Sequence, residues 1–325
     1  MSTDREASVE MLAERRKHSS ITDLLLRLVR EKPLGMVGGV ITLLLLLTGI
    51  FANFLAPYGM NETSGAFLAS PSAEHILGAD NLGRDLISRI IYGARVSVIV
   101  GFTATALSIV ISTLIGLFSG FIGGAFDVVV QRLVDAWMCF PGLILLLVLV
   151  SLMGPGMWQI IIILALSFGI TGSRVVRSAV IVIKQNIYVQ AAVAIGCSRT
   201  ELLVRHILPN IMAPIIILFS TRIPGIIMTE ASLSFLGLGI PPPTPSWGGM
   251  LSGAAQRYMF LAPWMAIWPG VALSVVVYGV NMFGDALRDL LDPRLRGGMG
   301  RYSGAKVKSI KVKSIKEKKR NGYGS

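Results

Sequence analysis

"QAAVAIGCSRTELLVRHILPN", Gln190 to Asn210, is the stretch on which the reading of this chain turns. It sets a small-residue run, a glycine, a polar helix start and a Leu-Pro step between two strongly apolar regions, and it carries Arg199, Glu201 and Arg205. Ile187 to Ile195 is Ala-rich and helix-compatible. Gly196 stands where such a helix should end, because a left-handed backbone costs glycine little. Ser198-Arg199-Thr200-Glu201 then reads as a capping box, in which the hydroxyl and the carboxylate each satisfy an orphan backbone N–H. The second helix carries Leu202, Leu203, Ile207 and Leu208 and runs into Pro209, whose missing N–H predicts a break or a new start. The stretch is therefore a helix, a glycine turn and a second helix. Ala191, Ala192 and Gly196 give it a low-relief surface that another protein can approach closely, although composition alone fits a well-capped interhelical linker equally well.

The surroundings place this hairpin in a membrane protein. The chain has 325 residues, 53% apolar composition and 15% charged residues, against roughly 25% charged in soluble domains; its mean hydropathy is +0.68. Pro33 to Asn61, Val96 to Phe126, Ala136 to Ser173 and Tyr258 to Gly284 contain no Asp, Glu, Lys or Arg. A spanning helix needs about 20 apolar residues. The third stretch has room for two, with Gly154-Pro155-Gly156 as the turn between them. Ile211 to Leu238, interrupted by Arg222 and Glu230, brings the expectation to six helices. Gly35-x-x-x-Gly39 and Gly116-x-x-x-Gly120-x-x-x-Gly124 would let helices in the first two spans approach neighbours closely.

The chain divides accordingly. Residues 1–32 form an N-terminal arm whose Ile21 to Val29 fits an amphipathic piece at the membrane surface and a partly ordered solvated arm equally well; residues 33–56 are the first transmembrane helix; and 57–95 are an outside loop ending in an interfacial helix. Residues 96–285 are a five-helix core containing the 184–209 loop, and 286–325 are a basic tail. Lys and Arg number 30 against 18 Asp and Glu, with the excess at the termini and in the 174–205 segment, so both termini and the hairpin are expected in the cytoplasm. The tail repeats Lys-Val-Lys-Ser-Ile and ends in "KEKKR" before its last residues, a composition suited to anionic headgroups rather than nucleic acid. Cys139 and Cys197 then fall in a reducing location and read as free thiols. The first apolar stretch is longer than a signal-peptide core and reads as an anchor. The Asp80 to Asp85 cluster lacks the spacing of a calcium loop and reads as a turn with a capped helix start.

"QAAVAIG" followed by "ILP", with Pro209 thirteen residues after Gly196, resembles the Glu-Ala-Ala, Gly, Leu-Pro loop of permease subunits in ABC importers. Ala191, Ala192, Gly196, Leu208 and Pro209 match; Gln190 stands where the family usually has Glu, and His206 where its general pattern has Ile. "LGADNLGRDLISRIIYGARVSV", "EASLSFLGLGIPPPTPSWGGML" and "GDALRDLLDPRLR" are similar to the dipeptide, oligopeptide and nickel branch of these permeases, its second or C-type subunit. Together with the loop they extend the resemblance from about residue 75 to 296. What it implies is an all-α membrane protein with the six transmembrane helices of the type I ABC importer permease fold. Gln190, Ala191, Ala192, Gly196, Ser198, Glu201, Leu208 and Pro209 would form a cytoplasmic coupling helix and its caps. The implied partners are a second homologous permease making a heterodimer, two ABC ATPase subunits, an extracytoplasmic solute-binding protein and the lipid bilayer of a bacterial or archaeal inner membrane.

The chain has no Gly-x-x-x-x-Gly-Lys-Ser/Thr phosphate loop and no His-Glu-x-x-His, and its three histidines are dispersed. No catalysis and no bound cofactor are expected of it, ATP and Mg belonging to the partner subunits. Charged residues inside a span mark faces turned from lipid, so Arg222 and Glu230 are candidates for the pathway or a gate, or else they satisfy one another or a neighbouring subunit. Pro224-Gly225 between them predicts a kink or a break. Trp247, Trp264 and Trp268 read as an interfacial belt or the outer gate region. The resemblance points to peptide import, with nickel or another small solute as the alternative and much of the selectivity in the binding protein. A proton-coupled transporter using Glu230, and a membrane-embedded structural protein, are the rivals from other classes.

Overall fold

A computed structural model describes residues 28, 29 and 31–291. Most of the N-terminal arm and the basic tail from residue 292 onward lie outside the described residues, while residues 286–291 of the expected tail are the last turns of the final helix. All regular elements among the described residues are helices, and two isolated β-bridges, Thr63 to Arg84 and Ala79 to Asp85, lie within the loop between Leu55 and Leu86. They are α1 (Pro33–Ile50), α2 (Ala52–Leu55), α3 (Leu86–Ile122), α4 (Gly124–Met138), α5 (Gly142–Met153), α6 (Met157–Lys184) and α7 (Ile187–Ala194). There follow a turn α8 (Arg199–Glu201), α9 (Met212–Phe235), α10 (Trp247–Leu251), α11 (Ala254–Tyr258) and α12 (Trp264–Leu291).

Five helical segments are long and apolar enough to cross a bilayer, and α4 with α5 makes a sixth only as a pair bent by 89°. The expected third span is thus not one straight crossing. Pro141 precedes α5, removing a backbone donor where α4 would otherwise continue. The 12 residues of α5 reach about 18 Å, well short of a hydrocarbon core of about 30 Å. The expected interfacial helix also differs: it is fused to the second span in one helix of 37 residues. Asp85 caps its start, accepting from the Ser88 N–H at 2.9 Å and the Ser88 hydroxyl at 2.7 Å. Nothing between Arg95 and Val96 interrupts the turn-to-turn hydrogen bonding.

The α3–α6 pairing is built on small residues. A Cβ on Gly116 would stand 2.5 Å from the Ser173 carbonyl oxygen, and one on Gly120 3.0 Å from that of Arg177. The Ser112 hydroxyl donates across the seam to the Gly169 carbonyl at 2.8 Å. Because lipid is as apolar as a side chain, such backbone approach supplies the packing contacts that a hydrophobic driving force cannot. Gly124, third in the sequence repeat, has φ +58° and no neighbour within 4 Å, so it belongs to the turn into α4 rather than to the seam. Gly38 of α1 lies against Gly279 and Phe283 of α12, and Gly284 of α12 approaches the Ser220 carbonyl of α9.

The two largest apolar cores among the described residues are these. Val100, Ile160, Leu164, Ile226 and Leu233 join α3, α6 and α9, while Leu45, Ile227, Trp247 and Val280 join α1, α9, α10 and α12. Trp247 is buried and donates its indole N–H to the Ile90 carbonyl at 3.0 Å, over Gly93. The Trp264 indole donates to the Ala79 carbonyl at 3.2 Å. These two rings clamp the 57–85 loop and α10 to the bundle rather than facing lipid as a belt, and the half-exposed Trp268 alone keeps that option.

Candidate functional site

At the end of the bundle opposite the 57–85 loop, α6 gives way to the hairpin. α7 ends in a Schellman turn: Cys197 N–H bonds the Ala192 carbonyl at 3.1 Å and Gly196 N–H the Val193 carbonyl at 3.0 Å. Gly196 has φ +85°, and a Cβ there would meet nothing within 4 Å. The glycine is therefore required by backbone conformation and not by crowding. Ser198 caps the next turn, its hydroxyl accepting from the Glu201 N–H at 3.2 Å. The reciprocal half of the expected capping box is replaced: Glu201 accepts from Arg205 at 2.7 Å, one turn along, an i,i+4 geometry that suits the longer side chains.

Pro209 does not end the helix. Leu202–Ile207 widens into a π turn, Leu208–Ile211 tightens into a 3-10 turn, and α9 continues. Changing the hydrogen-bond register around the proline accommodates both its missing donor and its ring. Val189, Ala192 and Leu202 form a small core with Phe121, Ile183 and Cys197, so the hairpin is a packed unit attached to the ends of α3 and α6. Gln190 reaches the Gln185 carbonyl at 3.2 Å, and Ala191, Gly196 and Pro209 are exposed while Leu208 is half-buried. Sequence reasoning missed the most conspicuous feature, Ile187 and Ile195, which are 84% and 82% exposed with Val193 beside them. Three apolar side chains on a free polar hairpin are a surface built to be covered. Beside a span they read as core, which hid the signal. Cys139 is exposed and Cys197 intermediate, and both are free thiols.

The two charges of α9 have different settings, and they are not paired with one another. Glu230 is 1% exposed, and its Oε1 accepts from the Ser234 hydroxyl at 2.6 Å. Ser234 Oγ in turn accepts from the Ile240 N–H at 3.3 Å, which fastens the loop that follows α9. Arg222 lies over the Phe168 ring at 5.4 Å from its centroid and lines a groove of about 400 Å³ between α4, α5, α6 and α9. α9 runs unbroken through Pro224, so the expected break there is absent. Thr221 and Ser220 each donate a hydroxyl hydrogen bond to the Ile217 carbonyl at 3.0 Å in the preceding turn.

At the other end, Asp80 accepts from Leu82 N–H, Arg84 N–H and the Arg84 guanidinium at 2.8, 3.0 and 2.7 Å. Buried His75 bridges Asp85 and Ser64, each at 3.0 Å. The acidic pair thus organises a loop. Nearer the hairpin, Asp127 of α4 receives the Arg177 Nε at 2.6 Å, and Asp135 pairs with Arg174, tying α4 to α6.

Residues 112–297, more than half of the chain, match the family model described as binding-protein-dependent transport system inner membrane component, and residues 21–71 match that of the N-terminal TM domain of oligopeptide transport permease C. The dipeptide transport system permease protein DppC of Alkalihalophilus pseudofirmus is 38% identical over 269 residues, 82% of this chain and 88% of that one. The glutathione transport system permease protein GsiD of Pectobacterium atrosepticum is 38% identical over 263 residues, 80% of this chain and 87% of that one. Among solved structures, a chain of the MetNI methionine ABC transporter in an inward-facing conformation superposes with a TM-score of 0.51 at 15% identity, covering 63% of this chain and 96% of that one. That likeness bears on the fold alone.

Proposed function

This chain belongs to the family of binding-protein-dependent transport system inner membrane components, and from that premise we propose that it forms one half of the peptide pathway in an ATP-driven importer. The other half is a second permease of the same fold. Two ATPase subunits supply the energy, and an extracytoplasmic binding protein delivers a dipeptide, glutathione or a similarly small peptide, in keeping with the relatives' names. This chain then hydrolyses nothing; ATP and Mg act on the partners.

The observation that carries the reading is the hairpin. Its Schellman turn and Ser198 cap fix a rigid body whose exposed Ile187, Val193 and Ile195 stand ready for a groove on another protein. We assign that groove to an ATPase subunit, which puts the hairpin and both termini in the cytoplasm and the 57–85 loop outside, as the Lys and Arg distribution favours. Closure of the ATPases on nucleotide would draw two such hairpins together and switch access between the two sides, a rigid-body change between two states. Gln190 in place of Glu leaves the docking contact one negative charge short.

The test is uptake by the complete complex in proteoliposomes. Uptake collapses when the ATPase subunits cannot hydrolyse ATP and persists when the proton gradient is dissipated. Uptake by this permease with no nucleotide-hydrolysing partner, or a hairpin labelled from the outside, overturns the reading. Family membership already sets aside the proton-coupled rival built on Glu230.

A further inference from the structure

The groove at Arg222 sets a cation among aromatic and hydroxyl-bearing side chains. Its walls are Trp137 and Phe140 at the α4–α5 corner, Phe168 of α6 beneath the guanidinium, and the hydroxyl-bearing Ser167, Thr171 and Thr229. Among the described residues Arg222 has no acidic partner; its one close contact of note is the Phe168 face. The Ser167 hydroxyl is buried and has no hydrogen-bond partner. A lone cation and a spare hydroxyl in one aromatic groove form an arrangement that is costly unless something anionic and hydrogen-bonding completes it.

Depth decides what that something is. Arg222 is ten residues beyond Met212, the start of α9, and thirteen before Phe235, its end. At 1.5 Å per residue that is about 15 Å and 20 Å, the middle of a hydrocarbon core of about 30 Å. A lipid phosphate is out of reach of a side chain held there over an aromatic ring. An anion arriving at this depth must travel along the pathway or be brought by a neighbouring subunit.

We propose that Arg222 is a carboxylate subsite of the translocation pathway, receiving the terminal carboxylate of a peptide in transit. The planar guanidinium offers paired donors matched to a carboxylate, Ser167 supplies a further hydrogen-bonding group, and the Trp137, Phe140 and Phe168 rings take apolar side chains of either size. The subsite passes small peptides with a free C-terminus and disfavours neutral analogues, whose entry leaves the cation unpaired. This rests on the import function proposed above and adds the chemical feature of the substrate that the permease itself reads.

The experiment compares uptake of a free-acid dipeptide with that of an amidated or decarboxylated analogue that also saturates the binding protein, using the complete transporter in proteoliposomes. The acid-to-neutral uptake ratio is read within each preparation, so differences in yield cancel. Wild-type complex favours the acid; Arg222→Gln lowers the ratio at least tenfold, and Arg222→Lys keeps at least a third of it. An unchanged ratio in Arg222→Gln, or equal loss of both substrates, complete loss included, overturns the proposal. The same holds if an acidic residue of the second permease proves to be the partner, shown by restored uptake when the two charges are exchanged. No nucleotide-dependent uptake by wild-type complex would instead be a failure of the import reading itself.

Discussion

The α3–α6 seam and the hairpin that follows α6 both depend on glycine, and for opposite reasons. Gly116 is in ordinary helical backbone and leaves no room, since a Cβ there would collide with the Ser173 carbonyl; Gly196 has ample room but a backbone at φ +85° that side chains avoid. One glycine allows two helices to touch and the other allows a chain to turn. A substitution at the first should therefore damage the folded body, and one at the second should damage what the body presents to its partner.

Gly116→Val separates the two most sharply. The added bulk meets backbone, which cannot move aside, so a loss of about 3 kcal/mol or more is expected. The checks are a fall in monodisperse protein after detergent extraction and a fall in uptake that follows protein amount. Gly196→Asp should lose about 1–2 kcal/mol from the left-handed backbone and keep its membrane insertion, yet abolish uptake. Pull-down of ATPase subunits alongside uptake tests this, and full uptake by an assembled mutant would remove the distinction. Ser198→Ala deletes the cap and should cost about 1 kcal/mol, visible as faster hydrogen exchange at Glu201 with α3 and α6 unaffected. Gln190→Glu, the smallest change, should leave stability alone and raise ATPase-coupled uptake by about twofold, since a surface ion pair is worth roughly 0.2–1 kcal/mol.

The hairpin was legible because its signals are local. Gly196 and Ser198 specify a turn and a cap from their own chemistry, whatever surrounds them. The α4–α5 corner was not, because Ala136 to Ser173 carries no charge and its apolar residues look alike on either side of the bend. The available hints were Phe140-Pro141 and the polar series Asp127, Gln131 and Asp135, which gives α4 one polar face turned to α3 and α6. Arg222 and Glu230 stood out as charges in a span, but spacing could not tell that Ser234 would satisfy one while the other would lie in a groove. Of the two readings of Pro209, a break and a new start, the structure has the second, a 3-10 turn opening at Leu208, because a change of register absorbs the single missing donor. For Trp247 burial removes the belt reading alone, because an indole near a span end suits a buried carbonyl as well as it suits an interface.

The π and 3-10 turns around Pro209 have a mechanical consequence. They keep the chain helical from Arg199 to Phe235, so the hairpin and the Arg222 groove share one rod. Arg222 is twenty-three residues from Arg199, about 35 Å along that rod. A tilt of about 10° imposed at the hairpin and pivoting there would carry the guanidinium sideways by roughly 6 Å on that helical rise. That is more than the reach of a hydrogen bond, so one lever stroke is enough to take hold of a solute or let it go.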